Sequence, residues 1–202
     1  MASSVAVRVL GSGPAVMLVH GAVASGPTWK AQEDLVTRWR LVIVTRRGFR
    51  PSPAADRQDF AADARDLEKL LRREPAHCVG FDYGAIGLAV LAGAVPDLLR
   101  SLTLIEPPSL AAAPAAGDPG AAQVRPASEA DPDLAAVAAA GVPSLVLSGD
   151  HDPEMEAASD SVAERLGSQR DRLPGAGHAV QRAPGFNRRL ERFLFGAETS
   201  RL

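Results

Sequence analysis

Short, mostly apolar runs alternate with amphipathic stretches along this chain. Ala15-Val16-Met17-Leu18-Val19, Arg40-Leu41-Val42-Ile43-Val44, Ala76-His77-Cys78-Val79, Leu102-Thr103-Leu104-Ile105 and Val142-Pro143-Ser144-Leu145-Val146-Leu147-Ser148 are each too short for a helix and are bounded by turn residues. Runs of that kind read as buried parallel strands. Residues 4–10 alternate polar and apolar positions, as a half-exposed edge strand would, and a short strand is predicted near 170–173. Between 56 and 74, Phe60, Ala64, Leu67 and Leu71 recur at spacings of four, three and four. That places them on one face of a helix. Further helices are predicted over 28–36, 86–94, 134–140, 156–166 and 186–195. Strand and helix therefore alternate, which implies a mostly parallel sheet with helices on both faces. His77, at the start of its strand, reads as solvent-facing.

One interval breaks the rhythm. Residues 109–141 are dominated by Ala, Pro, Gly and Asp, and they read as a short lid or mobile insertion within a single domain spanning 1–202. A length of 202 residues fits one core. With 46% hydrophobic and 23% charged residues the composition is that of an ordinary globular protein. A net charge of -2 offers no basic field for nucleic acid or a membrane surface. Cys78 is the only cysteine, so neither a disulfide framework nor a thiolate metal cluster can form within the chain. The opening residues do not read as a signal peptide, since Arg8 and Gly11-Ser12-Gly13-Pro14 interrupt the first apolar stretch. These features point to a cytoplasmic enzyme or binding protein with a small-molecule partner and no cofactor.

The candidate chemistry centres on Gly80-Phe81-Asp82-Tyr83-Gly84, where a strand gives way to a helical pattern. A sharp strand-to-helix turn needs small residues beside its apex. Here the apex is Asp82. Its carboxylate has a plainer reading as a helix cap, favoured by exposed N–H groups at a helix start. His151, between Asp150 and Asp152, would be a metal ligand only if other ligands converged on it from elsewhere in the fold. No HExxH-type spacing is present, so no metal is expected.

Four motifs in order, Leu18-Val19-His20-Gly21, the Asp82 elbow, Gly149-x-x-Asp152 and Pro174-Gly175-Ala176-Gly177-His178, resemble the α/β-hydrolase fold family. The resemblance spans nearly the whole chain. It implies a sheet of about seven strands, one fewer than is common in that family, with a minimal or absent cap. It also implies Asp82 as nucleophile, His178 as base and Asp152 as the acid that orients it, with Asp150 or Glu106 as reserve acids. Backbone N–H groups of Ala22 and Tyr83 would form an oxyanion site. His20, Trp29, Phe49 and Phe81 would line a substrate pocket.

A carboxylate attacking an ester carbonyl would give a reactive anhydride, whereas displacement at saturated carbon gives an alkyl ester that water can cleave. Families similar to this sequence with Asp at the elbow are the epoxide hydrolases and haloalkane dehalogenases. The resemblance implies a hydrolase of small organic molecules. The chain lacks the cap and tyrosine pair of epoxide hydrolases, and it carries Tyr83 where dehalogenases carry tryptophan. Two other functions remain open: a cyclase, lyase or isomerase of bacterial secondary metabolism using the same groups as acid and base, or an inactive binding protein on the same fold. A homodimer could cover the open site.

Overall fold

A computed structural model describes residues 5–108 and 124–200. Seven strands, β1 (Ala6–Leu10), β2 (Ala15–Val19), β3 (Arg40–Thr45), β4 (Ala76–Phe81), β5 (Leu99–Ile105), β6 (Ser144–Ser148) and β7 (Gln169–Arg172), form one sheet in the order β1-β3-β2-β4-β5-β6-β7. Among the described residues only β1 runs antiparallel, against β3. The remaining pairs are parallel. All strand C-termini after β1 therefore open on one edge of the sheet, where parallel α/β proteins place their chemistry.

The apolar runs are buried because both faces of the sheet are covered. Ala15, Met17 and Val19 of β2 pack on one side with α2 (Phe60–Leu71), α3 (Tyr83–Ala94), α4 (Leu134–Ala139) and α5 (Pro153–Leu166). Val16 and Leu18 pack on the other with Trp29, Trp39 and α6 (Phe186–Thr199). That split follows from the two-residue period of a strand. Asp59 caps α2 by accepting hydrogen bonds from Ala61 and Ala62 N–H at 2.8 and 3.2 Å. A 12-residue helix is marginal alone. Burial of Phe60, Leu67 and Leu71, worth roughly 1.5–3 kcal/mol each, fixes it in place.

Three expectations change. The helix expected over 28–36 is instead a short α1 (Ser25–Trp29) followed by a tighter 3-10 stretch, Lys30–Thr37, that turns Gln32 and Leu35 inward. His77 is fully buried, not solvent-facing. It sits on a central strand whose faces are both covered, and Ser101 Oγ and Glu198 Oε1 satisfy its ring nitrogens at 2.8 and 3.1 Å.

The third concerns 109–141. Residues 109–123 lie outside the described residues. From Val124 the interval is bound to the scaffold: Val124 bridges Gln58, Tyr83 Oη donates to Arg125 O at 2.9 Å, and Ala130 is buried with Phe60 and Tyr83. Within the described residues this half packs over α2 and α3.

Candidate active site

Asp82 stands between β4 and α3 with φ 51° and ψ -128°. A non-glycine residue there carries strain of order 1–3 kcal/mol. Its backbone is held from both sides, the N–H donating to Ile105 O at 2.9 Å and the carbonyl accepting from Ala85 N–H at 2.8 Å. The glycines around it are sterically required. A Cβ on Gly84 would collide with His20 O, one on Gly80 would come 2.8 Å from Ala85 Cα, and one on Gly21 would overlap the Asp82 carboxyl group.

The capping reading of Asp82 fails on geometry, because its side chain makes no hydrogen bond to its own helix. Instead Oδ2 accepts from Ala22 N–H at 3.1 Å, across 60 residues of chain. One of the two expected backbone donors therefore faces the carboxylate. The other, on Tyr83, belongs to the first turn of α3, where amides have no partner within the helix.

His178 follows β7 in the loop before α6. Its Nδ1 lies 3.4 Å from Oε2 of Glu106, a fully buried residue at the end of β5. Glu106 is itself in a left-handed conformation, φ 48°, and its Oε1 accepts from Gly149 N–H at 2.6 Å. The Glu106 hydrogen bond raises the His178 pKa, and the Asp82 charge adds to the effect. The Phe81 ring packs on the imidazole with centroids 4.9 Å apart.

Asp152 does not take the place assigned to it. Its Oδ1 accepts from Glu154 N–H at 2.8 Å, making it the N-cap of α5. Asp150 is exposed, with φ 55°. The carboxylate beside the histidine is the reserve acid Glu106. Strand-end position was the readable signal for it, while the left-handed turn that aims its side chain inward was not readable.

Of the expected pocket residues, Phe81 alone meets a catalytic candidate. Trp29 is fully buried in the core, and its size and apolar surroundings explain that place. His20 is also fully buried. Its Nε2 accepts from Arg46 N–H at 2.9 Å while Nδ1 faces Gly21 O at 3.0 Å, and Phe49 packs edge-on at 4.6 Å. Burial, with the Arg46 charge, lowers its pKa to about 4. It is a neutral strut holding the loop that carries Ala22.

Arg46 was not anticipated. Its guanidinium lies 5.0 Å from the Tyr83 ring and 5.3 Å from Phe49, donates to Gln58 Oε1 at 2.7 Å, and pairs with buried Asp63 at 3.3 Å. Desolvation outweighs that pairing and raises the Asp63 pKa to about 6.

The sequence profile of the alpha/beta hydrolase fold family matches residues 14–135, and the chain belongs to that family. A 2-(acetamidomethylene)succinate hydrolase of Mesorhizobium japonicum is 30% identical over 105 residues, covering 50% of this chain and 38% of the relative. A pimeloyl-[acyl-carrier protein] methyl ester esterase of Aeromonas hydrophila is likewise 30% identical over 105 residues, 50% of this chain and 41% of its own. The matches thus span about two fifths of these relatives. A solved structure from a study of carboxylesterases of Nitrososphaera gargenis superposes with a TM-score of 0.80 at 13% identity, over 96% of this chain and 95% of that one. A bromoperoxidase of Bacillus anthracis gives 0.76 at 20% identity, over 94% of each. At such identities the superpositions establish the fold. Among the described residues no helix is long and apolar enough to cross a membrane.

Proposed function

We propose that this protein is a hydrolase that opens small organic substrates through a covalent ester on Asp82. One contact supports the assignment above others: Ala22 N–H holds Asp82 Oδ2, which leaves Oδ1 to attack. In the first step Oδ1 forms a bond to a saturated substrate carbon, and the leaving group departs with the electron pair. In the second, His178 removes a proton from water, and the water oxygen adds to Asp82 Cγ. Negative charge then develops on Oδ2, already beside a backbone donor. Collapse expels the product alkoxide, which takes the proton back from His178 and leaves as the alcohol, and the Asp82 carboxyl group releases the second water proton to solvent. Glu106 orients the imidazole and stabilises its protonated form.

This sequence needs a carboxylate with one oxygen engaged and one available, and a histidine whose basicity a buried acid supports. Relatives named as a hydrolase and as an esterase support hydrolysis as the reaction class. Incubating His178→Ala with a panel of small epoxides, haloalkanes and esters tests the proposal. The first step needs no base, so an adduct on the Asp82 peptide should accumulate in the intact-mass spectrum. Turnover by the native protein without any adduct in the variant would contradict the covalent route.

A further inference from the structure

The β6–α5 loop carries one histidine for which the hydrolytic scheme has no use. His151 Nδ1 lies 3.7 Å from Glu106 Oε1, while His178 approaches Oε2, and the two imidazole rings stand 5.8 Å apart. One ligand atom from each of Glu106, His151 and His178 falls within 4.8 Å of the other two. Four ligands at about 2.0–2.1 Å around a tetrahedral ion stand about 3.3–3.4 Å apart. The separations from His178 Nδ1 to Glu106 Oε2, 3.4 Å, and from His151 Nδ1 to Glu106 Oε1, 3.7 Å, are close to that edge length, so a small turn of the carboxylate or side-chain closure onto the ion would complete the set.

The three residues come from the segments that follow β5, β6 and β7, and those segments are locked together. Gly149 N–H bonds Glu106, and a Cβ on Gly149 would overlap Gly177 O in the His178 loop. A fully buried carboxylate also carries a desolvation cost that a nearby cation offsets. We propose that Glu106, His151 and His178 form a site for a borderline divalent cation of the Zn2+ type, and that its occupation switches the hydrolase off. Two imidazoles and one carboxylate suit Zn2+, Co2+ or Ni2+ and are too nitrogen-rich for Ca2+ or Mg2+. The ion would take Nδ1 of His178 from Glu106, removing the hydrogen bond that supports the base. The switching clause rests on the hydrolytic proposal; binding does not.

Chelator-treated protein titrated with Co2+, and then with Zn2+ in competition, tests the site without any turnover. One Co2+ per chain should bind with visible d–d bands that Zn2+ abolishes. His151→Ala, a change at an accessible position, should weaken binding at least about 10-fold, whereas Asp150→Asn and Asp152→Asn should bind as the native chain does. No saturable binding, or equal binding by His151→Ala, would overturn the proposal. Where turnover is measurable, Zn2+ should inhibit the native protein relative to its chelator-treated rate and spare His151→Ala. Inhibition that persists in His151→Ala would overturn the switch.

Discussion

His178 Nδ1 and Glu106 Oε2 meet at 3.4 Å across 72 residues of chain, while Asp152 is engaged as the N-cap of α5. The two acids should therefore separate cleanly on mutation. Glu106→Gln should lower turnover by at least about 100-fold, since the base loses the group that orients and charges it. Asp152→Asn should retain turnover, because asparagine caps helices about as well as aspartate, and Asp152→Ala should cost about 0.5–2 kcal/mol of stability. Steady-state rates alongside denaturant unfolding check both.

The same contact sets the pH dependence. The Glu106 hydrogen bond, with the Asp82 charge behind it, raises the His178 pKa above its ordinary value of 6.5. The proposed water activation needs the neutral ring, so activity should rise with pH along a limb centred above 6.5. Glu106→Gln should move that limb to lower pH, and so, by a smaller step, should Asp82→Asn move the His178 titration. Rate profiles and histidine NMR titrations, both run with a chelator present, would show it.

Gly21 and Gly84 touch different parts of the elbow and should fail differently. Gly84→Ala drives a Cβ into the His20 carbonyl, with no flexible group to yield, so a stability loss of about 1–3 kcal/mol is expected. Gly21→Ala meets the Asp82 carboxyl group instead. It should displace the proposed nucleophile and reduce activity out of proportion to any change in thermal unfolding.

Two buried groups under the site oppose one another in acid. His20 has a folded pKa of about 4 against an ordinary 6.5, so the unfolded chain binds more protons between those values. Stability from His20 is thus lost as pH falls through that window, by about 3 kcal/mol in all. Asp63 has a folded pKa of about 6 against 3.8, so here the folded chain binds more protons. That term gains stability over nearly the same fall, by a similar amount. These two contributions should nearly cancel between pH 6 and pH 4, so Asp63→Asn, whatever its starting stability, should lose stability more steeply over that fall than the native protein does. Urea unfolding across that range measures the slopes.

The sheet was legible because its strands are short apolar runs that only two-sided burial explains, and because the elbow requires glycines that the chain supplies at Gly80 and Gly84. The helix faces followed from spacing, as Phe60, Ala64, Leu67 and Leu71 show. Where polar side chains lie buried, local pattern failed. His77 looked external from its strand-end position but is enclosed by Ser101, Glu198 and Trp39. The choice between Glu106 and Asp152 depended on a left-handed turn at Glu106 and on a cap at Asp152, which are tertiary outcomes. Arg46 and Asp63 form their pair only after β3 and α2 have packed, so their role had no signal along the chain.

The covalent role of Asp82 is most directly tested by a single turnover in heavy-oxygen water, followed by mass analysis of the peptide containing Asp82. Water attacks Cγ and the product leaves with the original carboxylate oxygen, so the label should appear in Asp82 and not in the first-turnover product. Product formed with label, and an Asp82 peptide without it, would contradict the mechanism.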